Sequence, residues 1–275
     1  MALRFCLLTA LFLTRASPGD PALVDDGCRF NRCVFVKAKG KSGSTWVSAL
    51  VRGLLAFDAA TRALDAGAGA GAAVTPAHRS KCHKDPEFGK HGLDAGAASP
   101  CGFYLVLFRD PRDIAISGFH YFARQSKARG LETVDDALMA ECSNRKGVFN
   151  GQANIYRNWV LSHRLAGHVR PVFYEELLEN ATREVLGWVE FLELKVSPIE
   201  VGSLVDNYRM GKDPKRDEEL RKKTKARAGT ASQWRTKLNV TTAAQCSRHI
   251  NEQATNRTGL RIPLRLARLY ADVGD

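Results

Sequence analysis

The stretch CVFVKAKGKSGSTWVSALVRGLLA, residues 33–56, reads strand, loop, helix, and the rest of the chain is organised around it. Cys33 to Val36 are apolar and rich in β-branched and aromatic side chains, as a buried parallel strand requires. From Trp46 onward Leu50, Gly53 and Leu54 recur at helical spacing. Between the two lies KGKSGS, residues 39–44. Its glycines allow a tight turn, and amides at the start of the next helix then point into one concavity where an anion can sit. Lys41 and the hydroxyls of Ser42, Ser44 and Thr45 add charge and donors. The stretch is therefore a phosphate-type cradle.

The tripeptide GKS at Gly40 to Ser42 suggests a nucleotide kinase, but its spacing refuses that class. A Walker A loop places a glycine five residues before the glycine of its Gly-Lys pair, six before the lysine. Phe35 stands there, followed by Val36, and neither is a glycine.

At 275 residues, with 44% hydrophobic and 25% charged residues, the chain is long enough for one large α/β domain and has ordinary globular composition. Its net charge of +12 favours anionic partners without choosing among them. Residues 1–22 carry Arg4 and a short apolar run, Phe5 to Leu13, ahead of Ser17-Pro18. That run is about half of the roughly 20 residues needed to cross a bilayer, so a signal peptide is expected rather than a stable span, with an organellar transit peptide as the competing reading. The remainder, 28–272, is expected to form a single domain.

Asn180-Ala-Thr182, Asn239-Val-Thr241 and Asn256-Arg-Thr258 are glycosylation acceptor patterns. Beyond the leader, Cys28, Cys33, Cys82, Cys101, Cys142 and Cys246 form an even set, which suits disulfides in an oxidising lumen, with pairing unspecified. No zinc-type spacing is present, so no metal is expected. Together these features point to the secretory pathway, the Golgi lumen or secretion.

Residues 58–77 and 89–100 are rich in Gly and Ala and read as connectors. Between them lies Lys81-Cys82-His83, where an imidazole of near-neutral pKa can serve as a general base. FYLVLFRDPRDIAISGFHYF, residues 103–122, is the second informative stretch. Phe103 to Phe108 is a continuous apolar strand. Asp110 suits an N-cap, Pro111 the first helical position, and Asp113 the third, where a carboxylate can return a hydrogen bond to the cap. Arg109 thus falls at the carboxyl end of the strand, the edge where open α/β sheets bind ligands. Ser117 shares a helix face with Asp113.

Residues 131–142 and 152–166 are expected to be helices, 169–174 a strand ending in Tyr174, and 207–227 a solvated charged run. The run leads into RAGTASQWR, residues 227–235.

These stretches, in this order, resemble the sulfotransferases. GKSGSTW, Gly40 to Trp46, is similar to that family's phosphosulfate loop PKSGTTW, with Gly40 in place of the proline. Lys81-Cys82-His83 resembles its KTH tripeptide. Arg109 and Ser117, eight residues apart, match its 3′-phosphate site, and YEEL at Tyr174 resembles its YEDL. RAGTASQW is similar to RKGxxGDW, with Ala228 for the lysine, Ser232 for the second glycine and Gln233 for the aspartate. The matches span roughly residues 33–240 and lie nearest the cytosolic-type branch.

The resemblance implies a three-layer α/β sandwich around a mainly parallel sheet. It implies 3′-phosphoadenosine 5′-phosphosulfate (PAPS) as donor and sulfuryl transfer to a hydroxyl or amine of a glycan or small alcohol or phenol. By it, Lys41, Lys81 and His83 are catalytic. Lys41, Ser42, Gly43, Ser44, Thr45, Trp46, Arg109, Ser117, Tyr174, Arg227, Ala228 and Gly229 hold the donor. A catalytically inactive relative and a P-loop kinase are the alternatives. A nucleic-acid binder would share the charge but has no module here.

Overall fold

The computed structural model describes residues 33–38, 40, 42–65, 102–128, 130–143, 148–161, 166–208, 218 and 233–258. Among the described residues three strands, β1 (Cys33–Ala38), β2 (Gly102–Phe108) and β3 (Val169–Phe173), form a parallel sheet in the order β1-β2-β3. Their register pairs Val36 with Leu105 and Leu107 with Val172. Every residue of β2 is buried, which explains its unbroken apolar sequence: a central parallel strand is covered on both faces.

Alternation along β2 feeds two cores. Phe103, Leu105 and Leu107 face one helical layer, and Tyr104, Val106 and Phe108 face the other. On the first face lies α1 (Ser44–Asp65), whose Val47, Leu50, Val51 and Leu54 point inward at helical spacing. Helices α6 (Tyr174–Glu179), α7 (Ala181–Phe191) and α8 (Pro198–Tyr208) complete that layer around the fully buried Trp188. Gly53 lets α8 approach α1: a side-chain carbon there would collide with Leu204.

The second face is covered by α2 (Pro111–Tyr121), with the short α3 (Ala123–Ala128) following it, α4 (Val134–Ser143), and α5 (Val148–Ile155) with a π-helical turn at Tyr156–Val160. The single turn α9 (Trp234–Lys237) and α10 (Val240–Thr258) close this layer. A disulfide between Cys142 and Cys246, 104 residues apart, joins α4 to α10. The result is the three-layer arrangement expected.

Four sequence expectations shift. Residues 58–65, expected in a connector, continue α1. Asp58 and Arg62 pair one turn apart at 2.8 Å, and Asp58 also accepts from the Lys195 amide at 2.7 Å, so local pairing and a tertiary contact outweigh the Gly- and Ala-rich sequence that follows. The helix expected from 131 begins at Val134, because Thr133 and Asp136 cap each other reciprocally. The helix expected over 152–166 starts earlier, at Val148, and relaxes into the π turn. That turn lays Trp159 4.9 Å from the Tyr104 ring and Tyr156 5.5 Å from the Phe108 ring, so packing on β2 decides it. Finally, β3 stops at Phe173 and Tyr174 opens α6.

Candidate functional site

The carboxyl ends of β1 and β2 converge on one site. After β1 the chain turns through Gly43, whose φ of +96° lies where L side chains are strained. Its carbonyl accepts the amides of Trp46 and Val47 at 3.0 and 3.3 Å, which starts α1. Ser42 is fully buried, Gly43, Ser44 and Trp46 are half-buried, and Thr45 is exposed. A side-chain carbon on Gly43 would stand 2.5 Å from Cε2 of Tyr174, so the loop backbone lies directly on that ring.

The same ring meets the second motif. The guanidinium carbon of Arg109 lies 4.4 Å from the Tyr174 ring centroid, within cation–π range. Trp46 approaches Tyr174 edge-on, with ring centroids 6.0 Å apart. Tyr174 therefore joins the loop to Arg109, and burial pushes its hydroxyl pKa up while the Arg109 charge opposes the rise.

Arg109 is nearly buried and follows the last residue of β2. Its backbone N–H donates to Oε1 of Gln152 at 2.9 Å, and its carbonyl accepts from Nε2 of Gln152 at 2.8 Å. Its Nη2 stands 3.9 Å from Oδ2 of Asp113, an ion pair too long for a hydrogen bond. Asp113, expected to serve the helix cap, accepts the Trp234 amide at 3.1 Å through its other oxygen. The next residue, Asp110, caps α2 as expected by accepting the Arg112 amide at 2.9 Å. Its own amide donates to Oε1 of Glu175 at 2.9 Å.

Glu175 is a carboxyl group set inside the protein. Burial pushes its pKa up to about 7, against the opposing hydrogen bond from the Asp110 amide. Its Oε2 is buried without a hydrogen-bond partner among the described residues.

Behind Arg109, the Arg112 guanidinium pairs with Asp110 at 2.7 Å, donates to Ser247 Oγ at 3.2 Å and lies 3.7 Å from the Trp234 ring centroid. Trp234, the tryptophan that ends the RAGTASQW motif, is thus fastened to the start of α2. Arg235 covers the same ring at 4.6 Å.

Of the sequence-predicted residues, Ser42, Gly43, Trp46, Arg109 and Tyr174 are brought together in this way. Ser44 and Thr45 open α1 beside them, and Ser117 is half-buried on α2, one turn beyond Asp113. Lys41, Lys81, His83, Arg227, Ala228 and Gly229 lie outside the described residues, as do the leader and most of the charged run. Sequence reasoning missed Gln152 and Glu175. Glu175 sits beside Tyr174 in YEEL and could have been suspected; Gln152, 43 residues from Arg109, has no local signal. No group of three His, Cys, Asp or Glu side chains among the described residues could hold a metal ion.

The fold is that of an α/β protein with a glycine- and hydroxyl-rich loop and a buried arginine brought together at the carboxyl edge of its parallel sheet. The chain belongs to the sulfotransferase family: the sulfotransferase domain model matches residues 103–258. It is therefore a sulfotransferase by its domain. Among solved structures, retinol dehydratase in complex with androsterone and the inactive cofactor PAP is 18% identical, with a TM-score of 0.56 over 86% of this chain and 84% of that one. The mouse sulfotransferase SULT7A1 complexed with PAP is 13% identical, with a TM-score of 0.57 over 89% of this chain and 88% of the other. At such identities the likeness is one of fold. No curated protein matches the chain significantly by sequence.

Proposed function

We propose that this sulfotransferase transfers the sulfuryl group of PAPS to a hydroxyl or amine of an acceptor, releasing adenosine 3′,5′-bisphosphate. The observation that carries the reading is the Tyr174 ring, packed on Gly43 of the cradle and against the Arg109 guanidinium. A donor with two separated phosphate ends needs two anion sites held at a fixed separation, and a ring packed between the loop and Arg109 supports that arrangement. The solved relatives were crystallised with PAP, which supports the same donor.

In this reading the amides that open α1, with Ser42, Ser44, Thr45 and Lys41, take the 5′-phosphosulfate. Arg109 and Ser117 take the 3′-phosphate, Arg227 and the backbone of Ala228 and Gly229 close over it, and Trp46 and Tyr174 flank the adenine. A guanidinium suits this task because it stays charged and grips phosphate oxygens with paired donors. As the acceptor oxygen bonds to sulfur, the bond from sulfur to the bridging phosphate oxygen breaks. His83 removes the acceptor proton, a contribution of roughly 10²- to 10⁴-fold in rate. Lys41 stabilises charge on the departing oxygen and Lys81 neutralises the sulfuryl oxygens.

The acceptor is proposed to be a hydroxyl-bearing glycan or small alcohol, reached in the secretory pathway. The Cys142–Cys246 disulfide supports an oxidising compartment. Asn180 and Asn239 are exposed N-cap residues whose side-chain oxygens accept backbone amides at 3.0 and 2.8 Å, which leaves each side-chain nitrogen able to carry a glycan. No helix among the described residues is long and apolar enough to cross a membrane.

Calorimetric titration with adenosine 3′,5′-bisphosphate tests the donor assignment, with ATP as comparator. Tight binding that is weak for ATP, and is lost in both Arg109→Ala and Gly43→Ala, is the expected result. A folded protein that binds neither nucleotide would overturn it. Binding without turnover on a panel of sugars, alcohols and phenols would mark an inactive relative.

A further inference from the structure

Arg109 stands where β2 ends, so the ladder no longer dictates its backbone. One buried side chain takes over. Gln152, with no exposed surface, offers an acceptor to the Arg109 N–H and a donor to its carbonyl, as the peptide group of a neighbouring strand would. We propose that Gln152 is a positioning residue for donor binding: its side-chain amide fixes the backbone of Arg109 and so aims the guanidinium at the donor's 3′-phosphate.

This inference rests on the donor reading above. A guanidinium at the end of a long side chain magnifies any rotation of its own backbone, and a misplacement of about 1 Å in a reacting site can lower a rate roughly 10²-fold. Asp113 and Tyr174 meet the guanidinium end, whereas Gln152 holds the root. A buried glutamine within α5, rather than an apolar residue, is explained by this double contact.

The test compares adenosine 3′,5′-bisphosphate with adenosine 5′-phosphate, which lacks the group that Arg109 is assigned to hold. Gln152→Met keeps the shape and removes both hydrogen bonds. It should lower affinity for the bisphosphate by about tenfold or more while leaving the 5′-phosphate within about twofold, and should add nothing to the loss in an Arg109→Ala background. Gln152→Glu supplies a second variant. Its selectivity, taken relative to wild type at each pH, should recover as pH falls, because a protonated carboxyl can donate to the Arg109 carbonyl as the amide does.

Equal losses for both nucleotides, losses that add to Arg109→Ala, or unchanged selectivity in both variants would overturn the clamp. If Arg109→Ala itself leaves the selectivity unchanged, the donor reading fails first, and the clamp's purpose with it. A purely structural glutamine would lower the melting temperature without moving the ratio between the two nucleotides.

Discussion

Two parts of this molecule are fastened by charged side chains, and they differ in where those charges lie. At the far end of α1, Arg62 pairs with Asp58, and Lys195 with Asp65, both at the surface; the Arg62 side chain is 52% exposed. At the carboxyl end of the sheet, Arg112 pairs with Asp110 at 1% and 7% exposure, and Arg109, Asp113 and Glu175 lie beside them. Exposed pairs of the first kind contribute about 0–1 kcal/mol each, because water competes for both partners. Buried groups carry a desolvation penalty that only near-complete pairing offsets. Simple fastening could be done with apolar contacts. The buried charges at the sheet edge lie where the proposed donor site stands, and the Arg112–Asp110 pair holds the start of α2 beside Arg109.

That contrast can be broken at its strong end first. Arg112→Met would leave Asp110 buried beside an apolar neighbour, with Ser247 and the Trp234 ring each losing one contact. A loss of about 3–5 kcal/mol is expected in denaturant unfolding, the range for removing one member of a buried pair. A loss below about 1 kcal/mol would mean that the pair behaves like a surface one.

Glu175→Gln probes the same region by pH. In the folded protein its pKa is about 7, against an ordinary 4.5. Burial therefore favours the protonated form, and the stability associated with it is fully present below about pH 4.5 and lost as pH rises through about 7. The glutamine variant can still accept from the Asp110 amide but cannot ionise. It should flatten the stability profile between about pH 4.5 and 7 and exceed wild type at pH 8 by up to roughly 3 kcal/mol. A wild-type profile with no slope in that window would remove Glu175 from the titrating groups.

The smallest effect is expected at the surface. Arg62→Ala removes the pair with Asp58 and a hydrogen bond from Nη2 to the Glu193 carbonyl at 3.2 Å, and should change stability by about 1 kcal/mol or less, with nucleotide binding unaltered. High salt should shrink even that difference. A larger change would show that the far end of α1 is as sensitive as the site.

Much of the local structure was legible in the chain. The run from Phe103 to Phe108 could only be a covered strand, and Asp110-Pro111 announced the helix that follows, because caps and apolar periodicity act over a few residues. Boundaries were less legible. Asp58 to Asp65 read as connector because its Gly- and Ala-rich neighbours masked a helix that Asp58 completes with Lys195, 137 residues away. Tyr174 read as the last residue of a strand, whereas the turn into α6 puts its ring on Gly43.

The site divides in the same way. The chain by itself determined which residue types would be present: glycines and hydroxyls before α1, an arginine at the end of β2, and a tyrosine after β3, each set by a short-range motif. Only the tertiary structure decided how they are held. Gln152 reaches Arg109 across 43 residues, Glu175 reaches Asp110 across 65, and Asp113 reaches Trp234 across 121. Such partners leave no periodic or local trace. Buried polar groups must be satisfied by whatever element packs against them, and which element that is emerges only when the layers close on the sheet.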